Sequence, residues 1–251
     1  MEYILPFTKN DVLNVFRKIK ALLIDFDGTL VDYKKAADKA LERLFQMHKL
    51  PTEVLKAGKS DYEKINTNLW REFEKKTLTL EEVRILRFEK MKEIYALEGS
   101  PKEVDEEYLS YLIENTTLDS KSLSLLKKAK NRGVDLFIVS NGIHYVQEQR
   151  IKKTNLLEVV DGYVTSEQVG KPKPHKQIFI HALDKLQVTK EQAFMIGDSY
   201  EADIVGSYNI GIKSCLIRKN RKIPRWIKDK KPIIITNNFN EFMYFYLKMQ
   251  E

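Results

Sequence analysis

Two aspartates, Asp25 and Asp27, stand two positions apart where an apolar run ends, and Gly28 and Thr29 follow at once. Alternation along an extended chain turns residues i and i+2 to one side, so the two carboxylates share one small volume. Two like charges that close together are costly unless a cation lies between them or one keeps a proton. Such a pair can act as nucleophile and proton carrier, or ligate a hard cation. Gly28 lets the backbone turn tightly after the pair, and Thr29 adds a hydroxyl that hydrogen-bonds locally. Asp-Gly is also a common turn dipeptide, so these residues alone leave a plain polar turn open.

The run Ala21-Leu22-Leu23-Ile24 lacks alternation, which suits a central parallel strand covered on both faces. A second apolar run, 134–139, leads into Ser140-Asn141-Gly142, and a third, 193–196, leads into Gly197-Asp198-Ser199, with Asp203 close behind. Between them lie Lys171 and Lys173, each followed by proline. Spacing predicts helices over 120–131, 143–154, 176–186, 202–208 and 239–248, and further strands over 162–165, 212–217 and 232–236. This alternation implies an α/β fold, a Rossmann-like doubly wound parallel sheet whose ligands bind beyond the carboxyl ends of the strands. Asp25, Ser140 and Asp198 fall at those ends. Residues 32–115 differ: Ala36, Ala37, Ala40, Leu41, Leu44 and Phe45 follow helical spacing, as do Leu69, Trp70 and Phe73, then Val83, Leu86, Phe88, Met91 and Ile94. They predict an all-helical insert between the first strand and the rest of a core made of 18–31 and 116–251. Residues 1–17 form an N-terminal extension with a short helix over 9–18.

Together and in this order, the Asp25-Phe26-Asp27-Gly28-Thr29-Leu30 hexapeptide, the Ser140 strand end, the Lys-Pro stretch and the Asp198 stretch resemble the motifs of the haloacid dehalogenase-like hydrolase superfamily. The resemblance runs from Lys20 onward. It implies a helical cap at 32–115 and a Mg²⁺-dependent phosphatase of small phosphate monoesters, working through an aspartyl-phosphate. In its terms Asp25 is the nucleophile and Asp27 the acid that protonates the leaving group, then the base that activates water. The metal would take a carboxylate oxygen of Asp25, the backbone carbonyl of Asp27 and the side chain of Asp198, with Asp203 and Ser199 supporting the site from behind. Phosphate contacts fall to Thr29, Ser140, Asn141 and the lysine, helped by the backbone N–H groups of Asn141 and Gly142. The family's active lysine is followed by proline and, five and six positions on, by an apolar pair opening a helix. Lys173, with Pro174, Ile178 and Phe179, meets that pattern, whereas Lys171 places the pair two residues too late. Family dehalogenases lack the second aspartate, so Asp27 speaks against that chemistry. A sugar phosphomutase uses the same two aspartates and stands as the alternative. The stretch from Ile65 to Phe73, then Arg87-Phe88, and Ser166-Glu167-Gln168-Val169-Gly170 look like the pyrimidine 5′-nucleotidase branch. The implied substrate is a small phosphorylated metabolite, with a nucleoside 5′-monophosphate leading.

The chain of 251 residues carries a net charge of +7, with its densest basic run over 218–231. Without a recognition motif such a run reads as a solvated loop, so a nucleic-acid-binding or regulatory module on the same fold is the weaker alternative. The single Cys215 permits no internal disulfide. His48, His144, His175 and His181 lack metal-ligand spacing, and no Gly-rich loop of the nucleoside-triphosphatase type occurs. No apolar stretch approaches the ~20 residues that span a bilayer. The expectation is a cytoplasmic protein, monomer or dimer, with no membrane partner.

Overall fold

The computed structural model describes residues 8–219 and 232–250. Its strands are β1 (Ala21–Ile24), β2 (Asp135–Ser140), β3 (Gly162–Thr165), β4 (Ala193–Gly197), β5 (Lys213–Ile217) and β6 (Ile234–Thr236). They form one parallel sheet in the order β3-β2-β1-β4-β5-β6. The chain moves outward from β1 through β2 to β3, then returns to β4 on the other flank of β1. That reversal makes a switch point between β1 and β4, where such sheets open a ligand crevice. Every residue of β1 and of β4 is buried, which is why neither shows alternation.

Helices α1 (Lys9–Phe16), α6 (Ser120–Asn131), α8 (Ser166–Val169), α9 (Lys176–Leu186), α10 (Gly206–Asn209) and α11 (Phe239–Lys248) belong with the sheet. Helices 120–131, 176–186 and 239–248 keep their expected bounds. The helix expected over 202–208 instead begins as a π-helical stretch, Tyr200–Val205, and only then becomes α10. The sequence reading missed α8, a single turn held by a capping box between Thr165 and Gln168. A capping box between Thr8 and Asp11 starts α1, and Phe16 packs edge-on against Phe194 and Tyr246 at 5.4 and 5.0 Å between ring centroids. The helix of the N-terminal extension therefore contributes to the core packing; residues 1–7, and 220–231 of the basic run, lie outside the described residues. Cys215 is buried beside Thr236, and burial pushes its thiol up to about 12.

Contacts divide the chain into two units. One holds the sheet, with residues up to 31, 118–144 and 154 onward; the other holds 32–117 and 145–153. The second unit is helical: α2 (Tyr33–Met47), α3 (Leu55–Glu74), α4 (Leu80–Ile94), α5 (Pro101–Asn115) and all but the first residue of α7 (His144–Lys153). The apolar stripe of α2 from Ala36 to Phe45 is buried, and Leu69, Phe73 and Val83 pack together with Trp70 against them. The Arg87 guanidinium is buried, donating to Asp105 at 2.9 Å and to the Tyr62 hydroxyl at 3.2 Å. Residues 145–153 were expected with the sheet. They group with the helices, to which buried Arg150 ties them by donating to Thr116 Oγ1 at 2.8 Å. Among the described residues no helix is long and apolar enough to cross a membrane.

Candidate active site

Lys173 is the hub of the switch point. Its ammonium donates to Asp25 Oδ1 at 2.7 Å, to Asp203 Oδ1 at 2.7 Å and to the Val139 carbonyl at 2.8 Å, using all three donors, and the residue is 2% exposed. Burial by itself would lower the ammonium's pKa; Asp203 and Asp25 outweigh it and hold the amine charged, above its ordinary range. Asp203 sits in the π-helical stretch, and its second oxygen accepts the Ser199 N–H at 3.0 Å. Ser199 in turn caps that stretch, accepting the Ala202 N–H at 3.2 Å.

The regular part of β1 stops at Ile24, and Asp25 still pairs across the switch point by donating its N–H to Ile196 at 2.9 Å. The chain then closes tightly, with Leu30 N–H and Val31 N–H both reaching the Phe26 carbonyl. Gly28 adopts φ +87°, and a Cβ there would lie 2.2 Å from Asp198 Oδ2. Only glycine lets the turn press against that carboxylate. Asp25, Asp198 and Asp203 each offer an oxygen within 4.8 Å of the others; the Asp27 side chain is not in that cluster. Burial raises the Asp25 carboxyl well above the usual range, Lys173 opposes this, and Asp203 and Asp198 reinforce it. Asp198 is pushed up to about 7, first by the protein packed around its carboxyl and then by the charge of Asp203, although the residue keeps an exposed side.

Asp25 Oδ2 and Thr29 Oγ1 are buried and receive no hydrogen bond from the described residues. An acceptor oxygen of that kind within an all-carboxylate cluster fits a hard, oxygen-seeking cation such as Mg²⁺.

Ser140 ends β2, buried, directly before the loop that faces Lys173. Asn141, expected at the phosphate, turns its side chain to the Lys173 backbone, accepting the Lys173 N–H at 2.8 Å and donating to the Lys173 carbonyl at 3.1 Å. The Gly142 N–H, also expected to help hold phosphate, donates to buried Ser166 Oγ at 3.0 Å instead. The lysine that donates to Asp25 and Asp203 is Lys173, not Lys171. His175 serves as the N-cap of α9, accepting from the Gln177 N–H. The structure thus brings Asp25, Lys173, Asp198 and Asp203 together, with Ser199 behind Asp203. Sequence reasoning named Asn141 as a phosphate contact and Ser166 within the Ser166–Gly170 likeness, and missed the hydrogen bonds their side chains make.

The family model for haloacid dehalogenase-like hydrolases matches residues 19–209. A Bacillus subtilis (strain 168) protein bearing the name HAD-hydrolase YfnB is 30% identical over 207 residues, covering 82% of this chain and 87% of its own. The Streptococcus pneumoniae protein named pyrimidine 5′-nucleotidase PynA is 30% identical over 194 residues, covering 77% of this chain and 81% of its own. The crystal structure of YfnB bound to magnesium superposes with a TM-score of 0.80 at 28% identity, covering 91% of this chain and 98% of that one.

Proposed function

This chain belongs to the haloacid dehalogenase-like hydrolase family, and on that premise we propose that it hydrolyses small phosphate monoesters with Mg²⁺ as cofactor and an aspartyl-phosphate as intermediate. The observation that carries this reading is the Asp25 carboxylate itself. One oxygen is held by Lys173 at 2.7 Å, and the other is buried without a hydrogen bond beside Asp198 and Asp203.

In this reading an Asp25 oxygen attacks phosphorus in line, the bond from phosphorus to the ester oxygen breaks, and Asp27 gives its proton to the departing alkoxide. Water then attacks the aspartyl-phosphate, Asp27 takes its proton, and phosphate leaves with Asp25 restored. Lys173 opposes the rise that burial imposes on Asp25, orients its carboxyl at 2.7 Å and adds positive charge beside the transferring group. Mg²⁺, held by Asp25, the Asp27 carbonyl and Asp198, would supply the charge that lets a carboxylate approach a phosphate dianion. Ser140 and Thr29 are the hydroxyls at hand for the phosphoryl oxygens.

The helical unit is read as the substrate-selecting cap. A nucleoside 5′-monophosphate is the favoured substrate, supported by the name of PynA and by the likeness of residues 65–73 to that branch. Arg87 spends its donors on Asp105 and Tyr62, so base selection would fall to other residues of the unit. The test is phosphate release, with Mg²⁺, from a panel of nucleoside 5′-monophosphates, sugar phosphates and an aryl phosphate. Turnover of the aryl ester at near-neutral pH is expected, with pyrimidine nucleotides leading among metabolites. No release across the panel, or full activity after exhaustive chelation, refutes the reading.

A further inference from the structure

Lys173 reaches the carboxylates from a loop that must be held at the right height over the sheet, and the Asn141 side chain does the holding. Its amide meets the Lys173 backbone twice: Oδ1 takes the N–H at 2.8 Å and Nδ2 gives to the carbonyl at 3.1 Å. On the far side, Pro174 lies tight on Gly206, where a Cβ would stand 3.0 Å from Pro174 Cα and 2.8 Å from the Phe179 ring. Residue 173 is thus gripped between the end of β2 and α10. The segment after β2 that carries Asn141 is itself pinned to α8, by Gly142 N–H on Ser166 and by His144 N–H on Glu167 Oε2 at 2.6 Å. Oδ1 and one Nδ2 hydrogen of Asn141 are thereby committed to the Lys173 backbone, leaving one Nδ2 hydrogen.

We propose that Asn141 is a positioning residue: its paired hydrogen bonds to the Lys173 backbone set the height of the Lys173 ammonium between Asp25 and Asp203. The inference rests on the catalytic reading above, so its test includes a measurement independent of turnover. In wild-type protein, acetylation of Lys173 read by peptide mass spectrometry should be slow relative to exposed Lys127, because the amine is buried and its donors are used. In Asn141→Ala the Lys173 amine should label at least about tenfold faster, with Lys127 unchanged, since a lost anchor frees the backbone that carries it. Displacing a catalytic group by about 1 Å costs up to ~100-fold in rate, so kcat should fall roughly tenfold to a hundredfold while KM changes little.

A double-mutant cycle separates positioning from direct phosphate contact. Acting through Lys173, Asn141→Ala should add almost nothing in a Lys173→Ala background; contacting phosphate itself, its loss should multiply in full. Asn141→Asp, which keeps shape and the acceptor but places a carboxylate against the Lys173 carbonyl, should fall between wild type and Asn141→Ala in labelling. It replaces Asn141→Ala should that variant not fold. Unchanged Lys173 labelling in the folded variant, or full multiplicativity in the cycle, overturns the proposal. If the wild-type protein hydrolyses nothing, the phosphatase reading fails while the labelling still decides the positioning role.

Discussion

A Cβ atom on Gly197 would lie 2.2 Å from Asp203 Oδ2. The last residue of β4 therefore has to lack a side chain for Asp203 to fold back from the π-helical stretch, accept the Ser199 N–H and hold Lys173. Gly197→Ala must displace a buried carboxylate that is already paired. Overpacking of this kind typically costs about 1–3 kcal/mol, and the ammonium it holds would shift as well. Urea denaturation should show that loss, and kcat/KM should fall at least about tenfold. A variant with wild-type stability and rate would mean that Asp203 does not take this position.

Lys173→Ala removes a buried cation from among anions, a change that typically costs ~3–5 kcal/mol. A fall of roughly a hundredfold or more in kcat/KM is expected, at ~1.4 kcal/mol per tenfold. Lys171→Ala should alter activity by less than about tenfold, since Lys173 is the lysine bonded to Asp25 and Asp203. Kinetics of both variants on one ester decide the matter, and a severe loss at Lys171 with a mild one at Lys173 would reverse the assignment.

Asp25→Asn should abolish turnover by several orders of magnitude while the melting temperature stays near wild type, since a carboxamide is a poor nucleophile. Asp27→Asn should be mildest on aryl phosphates, whose leaving groups need no proton, and severe on alkyl phosphates. Equal losses on the two ester classes would show that the residues do not divide the work in this way.

With oxygens of Asp25, Asp198 and Asp203 within 4.8 Å of each other, a divalent cation should stabilise the fold. Saturation at 100 times Kd adds about 2.7 kcal/mol, or roughly 5–10 °C for a chain of this size. Thermal melts in Mg²⁺ against a chelator should show that shift, and Asp198→Ala should lose most of it. An equal shift in the variant would place the cation elsewhere.

Much of the fold was legible because burial on both faces is written into local composition. The runs 21–24 and 193–196 could not alternate if they were central, and as β1 and within β4 they are wholly buried. The choice of Lys173 over Lys171 was likewise local, since it depended on where Ile178 and Phe179 open α9. What each side chain meets was not local. Lys173 finds Asp25 across 148 positions and Asp203 across 30, and no periodicity encodes such a meeting.

The tertiary structure alone decided the rest. Asn141 read as one letter of a polar turn until its amide met a backbone 32 positions away. Residues 145–153 scanned as one more sheet-covering helix, yet the buried Arg150 guanidinium draws them to Thr116 and so to the helical unit. The stretch 200–205 had helical composition, but whether it winds as α or π depends on which carbonyl each N–H reaches, and residue identity does not encode that choice. The sequence by itself determined which segments are strands and helices and which chemical groups stand at their ends, because periodicity and burial are local properties. Only the packed chain decided which of those groups touch, because contact depends on distances set by the whole fold.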